Sequence, residues 1–570
     1  MKKNILKYIT AGCLLATLSV AHSCQDFLTV RPKYSYPDYL MFKSEGGFQD
    51  AMVGVYMVAR RGPYNLSGGL TGGIDVGLGR GFIEMLSCFW PVYDVYGAGG
   101  SASYALYSHN YESEYARDAG DMFYMDQHTP VTNINFILKW IDDEEQNFLS
   151  EKVYNIVKAE ALAMRALCMF DVIRTYGPPP TPDAASLFGN RYAAYPRTIQ
   201  TEPYARETYT DFMKYLLDDI STAERLMEGH DPIADAGVAV DNAGFGWLAA
   251  RRSKMNYYAI KLLKARIYLW MGGEENKDIA LEAAKTVIES RKFSFDTWNW
   301  AAYMESGKNS NATSYMMGRS EHVFCLLSDG NYEINPLDSK RKNNYAFACY
   351  VPIWGYDIDG KVELLGESHA PHRDHLKNVF TDAVYVVDSL HHMKSNDLRL
   401  QLQMVQGKLP LTGAPARGMG DDDACPYEGH ATYKRFTYNV KNAPVPVLRL
   451  AEAYLIAAEC EKSYSKAEEY INTLRKARWK TNSDGYQVTI SNEQERMDWV
   501  IGEYVREFYQ EGQIFFHYKR LNLKTIPYAS EKTSDAFYGG DVLMTTESYI
   551  LPLPVKEYSA PAVNTKNETK

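Results

Sequence analysis

Residues 156–180 read IVKAEALAMRALCMFDVIRTYGPPP, and the first 21 of them contain no helix breaker. Ala159, Ala163, Ala166 and Phe170 recur at three- and four-residue steps, which brings them near one face of a helix. Gly177-Pro178-Pro179-Pro180 then stops that helix, because proline lacks the backbone donor and clashes with the preceding turn. Working outward, the same periodicity predicts helices over Thr208 to Met227, Ser253 to Met271, Ala280 to Ser290, Pro446 to Lys462 and Lys466 to Arg478. Several of these lie in adjacent pairs. Alanines recurring on neighbouring helices let backbones approach closely, as tetratricopeptide-like helical hairpins do, although no exact 34-residue period is present.

Between the helical zones the texture changes. Residues 62–128 are rich in Gly, Tyr and Ser, and residues 292–445 mix aromatics, polar loops and short strand-like runs at His322 to Leu327 and Ala383 to Val387. Loops this long in a compact protein are functional or disordered, and these carry too many aromatics for disorder. The expected architecture is one helical scaffold with a loop-rich face, not a string of separable domains.

The 570 residues are 46% apolar, ample for a large core, and carry 61 basic against 71 acidic residues. That balance gives no electrostatic reason to bind nucleic acid or anionic lipid. The eight cysteines show neither CxxC nor HxxC spacing, so no zinc site or dense disulfide framework is indicated, and Cys168 and Cys460 read as small core residues.

The first 23 residues read as a leader: Lys2, Lys3 and Lys7 form a basic start, Ile9 to Val20 are mostly apolar, and Ala21-His22-Ser23 precede Cys24. This ending resembles a bacterial lipobox, with His22 standing where small or aliphatic residues are usual. It implies acylation of Cys24 as the mature N-terminus; the alternative is ordinary cleavage and a secreted soluble chain. Loss of the three leader lysines takes the net charge from −10 to about −13.

Five stretches follow one another in a recognisable order. They are Cys24 to Leu28 with Arg31-Pro32-Lys33, Met41-Phe42 and Gly46-Gly47-Phe48 to Tyr56; Glu160 to Ala166 with Phe170-Asp171 and Tyr176-Gly177-Pro178; Leu448 to Glu452 with Ala457-Ala458-Glu459; Arg506 to Gln513 with Tyr518-Lys519-Arg520; and Leu551 to Pro554. In this order the chain resembles the SusD/RagB family. The departures are Ile514 and His517, where arginine and aspartate are usual, which puts the salt bridging there in doubt. The resemblance implies a mainly α fold of tetratricopeptide-like helix pairs over residues 24–570. It also implies an outer-membrane, surface-exposed lipoprotein that captures oligosaccharide for a SusC-like TonB-dependent transporter. Peptide capture, as in RagB-like members, is the neighbouring reading, and a two-carboxylate surface glycosidase is the reading from another class.

Two aromatic clusters are the candidate ligand surface: Phe89 to Tyr96, with Trp90, Tyr93, Asp94 and Tyr96, and Tyr350 to Asp357, with Trp354, Tyr356 and Asp357. A sugar presents a C–H face that stacks on indole or phenol and hydroxyls that need carboxylate partners, so aromatics interleaved with aspartate suit both demands. Members of the family present aromatics from loops in these two zones. Trp298 and Trp300, beside Phe293 and Phe295, read as core residues.

No catalytic constellation, cofactor motif or metal site is indicated. Gly68 to Gly73 and Gly77 to Gly81 lack the strand, turn and helix of a phosphate loop. Ser463 to Lys466 matches SxxK in the turn between two helices, without partner motifs. His369, His372 and His375, with Asp374 between them and His391-His392 following, could ligate a divalent metal on a helix, but Pro371 argues against one regular helix and favours a polar loop; Asp421 to Asp423 lack a calcium loop's spacing.

Overall fold

The computed structural model describes residues 38–59, 80–88, 106, 108–143, 149–187, 193–295, 319–327, 355–356, 362–363, 379–380, 382, 384–386, 392–399, 444–480, 482–509, 511–527, 541–555 and 557. Its frame is helical: α1 (Glu45–Ala59), the short α2 (Arg80–Met85), α3 (Glu114–Ile141), α4 (Glu151–Tyr176), α5 (Tyr209–Met227), α6 (Tyr257–Met271), α7 (Glu274–Glu289), α8 (Leu450–Cys460), α9 (Tyr464–Arg478), α10 (Glu493–Phe508) and α11 (Ile514–Arg520). From α3 onward each helix packs on the next, so that α3/α4, α4/α5, α6/α7, α7/α8 and α8/α9 form a continuous run of helix pairs.

At the centre lies α4. Ser150 caps its start, accepting from the Val153 amide at 3.4 Å, and burial extends from Val153 to Tyr176 on nearly every side. A helix buried all round belongs inside a protein, so the single face expected from its alanines is one of several. It ends where expected. A Cβ at Gly177 would lie 2.6 Å from the Ile173 carbonyl oxygen, so only glycine fits that close turn. Ala159, Ala163 and Ala166 of α4, Ala259 and Ala265 of α6, Ala280, Ala283 and Ala284 of α7, and Ala451 and Ala457 of α8 are all buried. Phe170 and Trp270 meet edge to face at 5.9 Å between ring centres.

Several boundaries differ from the sequence reading: α6 starts at Tyr257 rather than Ser253, and α7 at Glu274 rather than Ala280. The helix expected from Pro446 starts at Leu450, because Pro444–Arg449 is strand β6, paired antiparallel with β1 (His322–Leu327) from His322↔Arg449 to Leu327↔Pro444. The first loop-rich stretch, read as running to residue 128, ends at Ser113, since α3 opens at Glu114 and takes Pro130 within its length. Small hairpins β2/β3 (Gly355–Tyr356, Val362–Glu363), β4/β5 (Val384–Val386, His392–Lys394) and β7/β8 (Thr525–Pro527, Asp541–Leu543) complete the described strands. Cys168 and Cys460 are core residues, as are Cys88 and Cys325.

Candidate ligand-binding face

The two aromatic clusters belong to segments of the sequence whose described flanks are rooted in the helical frame. The first is held at α2 and its sequel, where Ile83, Glu84, Leu86 and Cys88 are buried. His109, on the returning stretch of chain, contacts the Leu86 carbonyl oxygen through Nε2 at 3.1 Å and stacks on Phe515 of α11 at 6.2 Å. The described chain on either side of residues 89–105 is therefore held at one place. Burial pushes the His109 imidazole down to about 4, against the opposing pull of the Leu86 carbonyl, so the root is held by a neutral ring. Tyr111 secures the same root by donating to the Ser548 carbonyl at 2.8 Å.

The second segment is rooted by charge. Its strand β1 enters after Glu321, and its strand β6 leaves at Arg449, both buried. Arg478 of α9 grips Glu321 with two bonds of 2.7 and 2.6 Å and reaches Glu507 of α10 at 2.8 Å. Arg449 grips Glu511 at 2.8 and 2.7 Å and Glu507 at 2.7 Å. In mid-segment, Arg399 binds Asp397 at 2.5 Å, Glu503 at 2.8 Å and Glu507 at 3.1 Å. Arg475 reaches Glu503 at 2.5 Å, and Arg506 holds both Glu503 at 3.1 Å and the Val379 carbonyl at 2.6 Å. Five arginines thus face five carboxylates, all of them buried.

Burial by itself would raise the carboxyls of Glu503 and Glu507. The guanidinium groups outweigh it: Arg399, Arg506 and Arg475 hold Glu503 well below the usual carboxylate range, and Arg478, Arg449 and Arg399 do so for Glu507. Opposite charges that match in number and share hydrogen bonds can persist away from water, whereas any one left alone could not.

Both roots meet on consecutive residues. Glu511 binds Arg449 of the second segment, while the Gly512 amide donates to the Glu84 carboxylate of the first at 3.0 Å. Gly512 has φ +64°, a left-handed turn that glycine adopts without strain and that aims its amide at Glu84. The turn between α10 and α11 therefore ties the two loop-bearing segments to one corner of the frame.

Of the residues expected to touch ligand, Trp90, Tyr93, Asp94, Tyr96, Trp354 and Asp357 lie outside the described residues, as do Cys24 and the histidines at 369, 372, 375 and 391. Tyr356 is described as backbone of β2, paired with Val362. Among the described residues no group of three or more His, Cys, Asp or Glu could hold a metal ion, and no helix is long and apolar enough to cross a membrane. The SxxK match resolves into a helix cap: Ser463 Oγ accepts from the Lys466 amide at 3.4 Å. At the two departures near Gly512, Ile514 is core and His517 is buried, stacked on Tyr504 at 4.0 Å and 6°. Salt bridging nearby survives through Arg520, which holds Glu459 at 2.7 and 2.6 Å.

The sequence reading did not single out the ionic network. A signal existed in the spacing of Arg475 with Arg478 and of Glu503 with Arg506 and Glu507, which sets charges on the helix faces that carry buried apolar residues.

The fold and its roots define a class: a scaffold of helix pairs in which the described roots of two long connecting stretches meet at one corner. The SusD family model matches residues 427–552. No curated protein matches the chain. A SusD superfamily protein from Bacteroides thetaiotaomicron VPI-5482 is similar at 19% identity over 91% of this chain and 98% of that one, with a TM-score of 0.62. A SusD-like carbohydrate binding protein from Bacteroides vulgatus ATCC 8482 is 12% identical over 92% and 99%, with a TM-score of 0.58. NanU from Bacteroides fragilis is 14% identical over 86% and 92%, with a TM-score of 0.53. The SusD family model thus covers residues 427–552, and the likeness to solved structures shows the same fold over about nine-tenths of the chain. SusD family proteins are non-catalytic binding proteins.

Proposed function

We propose that this protein captures an oligosaccharide at the outer surface of the outer membrane and delivers it to a SusC-like TonB-dependent transporter. The observation that carries the reading is the convergence of both aromatic-bearing segments on Glu511 and Gly512, which supports their acting as one ligand-binding face. The similarity to a Bacteroides vulgatus protein described as carbohydrate binding supports the ligand class. On this reading Trp90, Tyr93, Tyr96, Trp354 and Tyr356 stack on sugar rings, Asp94 and Asp357 accept from hydroxyls, and acylated Cys24 tethers the chain. Mass spectrometry of the mature N-terminus checks the tether, and an unmodified Cys24 after leader removal overturns it.

Trp90→Ala and Trp354→Ala test the face. Loss of one central stacked aromatic costs about 2 kcal/mol, or roughly thirtyfold in affinity. Calorimetry against the glycan that the wild type binds should show that loss with the melting temperature nearly unchanged and the glycan uncut. Unfolding of both variants with affinity otherwise intact would make these residues core and remove them from the site.

A further inference from the structure

In sequence, residues 328–443 connect the paired strands β1 and β6. A chain of that length fixed only at its ends retains large conformational freedom, and an attachment in its middle removes part of it. The structure contains such an attachment. Phe380 is buried, Arg506 of α10 binds the Val379 carbonyl, and Asp397 and Arg399 enter the ionic network from the side of the excursion. Asp382 ties the same stretch together by accepting from the Asn396 amide at 2.6 Å, and the Lys480 amide donates to the Asn396 carbonyl at 2.8 Å.

The contribution of the excursion is itself electroneutral. Asp397 accepts from the Arg399 backbone amide at 3.0 Å as well as from its guanidinium. Without this pair the remaining charges still match, four arginines against four carboxylates: Arg478 on Glu321, Arg449 on Glu507 and Glu511, Arg475 and Arg506 on Glu503. Among the described residues these pairs of the frame balance without Asp397 and Arg399. A neutral pair added from a neighbouring segment, with the Arg399 side chain 0% exposed, has the form of a plug in a socket.

We propose that Asp397 and Arg399 are positioning residues, an ionic plug that docks the middle of the second excursion on α10 and so sets the shape of the ligand-binding face. The effect on ligand rests on the function proposed above; the docking does not. The planar fork of arginine is needed, because one guanidinium serves Asp397, Glu503 and Glu507 at once.

The test uses the whole chain carrying Asp397→Asn with Arg399→Met, which removes the plug without leaving the socket unbalanced, and Arg399→Lys alone. Hydrogen exchange is read by mass spectrometry, and binding is measured on a panel of α- and β-linked hexose oligosaccharides. The double variant should exchange about tenfold faster over 384–399 while α9 and α10 keep their protection, and should bind the wild-type panel ligand at least about threefold more weakly. Arg399→Lys should fall between the two. Unchanged protection over 384–399 overturns the plug, as does an equal loss across α9 and α10, which marks a general stabiliser. Faster exchange with unchanged affinity overturns the positioning role. If the wild type binds no panel member, the oligosaccharide reading fails for that panel, while the exchange data still decide the docking.

Discussion

The bundle of α3, α4 and α5 and the junction of α9 and α10 both bury arginines, yet they satisfy them differently. Beside α4, Arg165 grips Asp219 at 2.6 Å with Asn135 and Tyr195 completing the set, and some distance along, Arg251 holds Glu160 and Asp231 with Tyr56 donating to Glu160 at 2.7 Å. These are separate clusters closed off by neutral groups. At α9 and α10 the arginines are satisfied by carboxylates that are themselves shared, Glu507 by Arg399, Arg449 and Arg478, and Glu503 by Arg399, Arg475 and Arg506. Damage in the first region should stay local. In the second it should spread, because both central carboxylates are counted in more than one pair.

The largest expected effect comes from breaking the shared network. Glu507→Gln strands parts of three guanidinium groups and should cost about 3–5 kcal/mol in urea unfolding, with the excursion roots at β1 and β6 loosening together. A cost under about 1 kcal/mol would show that water reaches the junction and that the two regions do not differ.

Coupling sharpens the comparison further. In a double-mutant cycle, Glu507→Gln and Arg399→Met should deviate from additivity by about 0.5–3 kcal/mol, since the two groups bond at 3.1 Å. The cycle of Glu507→Gln with Arg165→Met, which spans the two regions, should add within about 0.5 kcal/mol. Equal coupling in both cycles would erase the distinction.

The smallest effect is set by pH and falls on neither set of arginines. Burial lowers His109 and His128 to about 4 each, against backbone carbonyls that pull upward, so both rings are neutral in the folded chain. Unfolded histidine takes up its proton near 6.5, so between about pH 6.5 and 4 the unfolded state binds more protons and stability falls as the solution is acidified. The network responds at lower pH. Glu503 and Glu507 are depressed, so their contribution is fully present above the unfolded carboxylate value of about 4.3 and is lost only as pH drops through their lower folded values. Urea titrations at pH 7, 6 and 5 should show a modest decline that flattens in His109→Gln and His128→Gln and is indifferent to the network. A decline that persists in those variants would assign acid sensitivity to other groups, among them His517, which burial and Arg520 also hold neutral.

Much of the frame was legible because helix formation is read from neighbours three and four residues away. Thr208 stands where a cap is needed, and its Oγ1 accepts from the Asp211 amide at 3.0 Å at the start of α5. The same locality misplaced the start of α8: Pro446 to Arg449 carry apolar residues that fit a helix pattern, and only pairing with β1, over a hundred residues earlier, makes them a strand. The aromatic clusters were legible as chemistry but not as positions, since an irregular segment has no period from which to infer where a ring lies.

By itself, then, the order of residues determined the helical elements, their caps and stops, the core character of Cys168 and Cys460, and a resemblance spread over five motifs, all properties of short range or of order along the chain. The tertiary structure alone decided that Glu84, Arg449, Glu511 and Gly512 share one corner and that, among the described residues, five buried arginines of the α9 and α10 junction meet five buried carboxylates. Arginines and glutamates are ordinary surface residues until burial removes the water, and burial is a consequence of contacts between segments hundreds of residues apart.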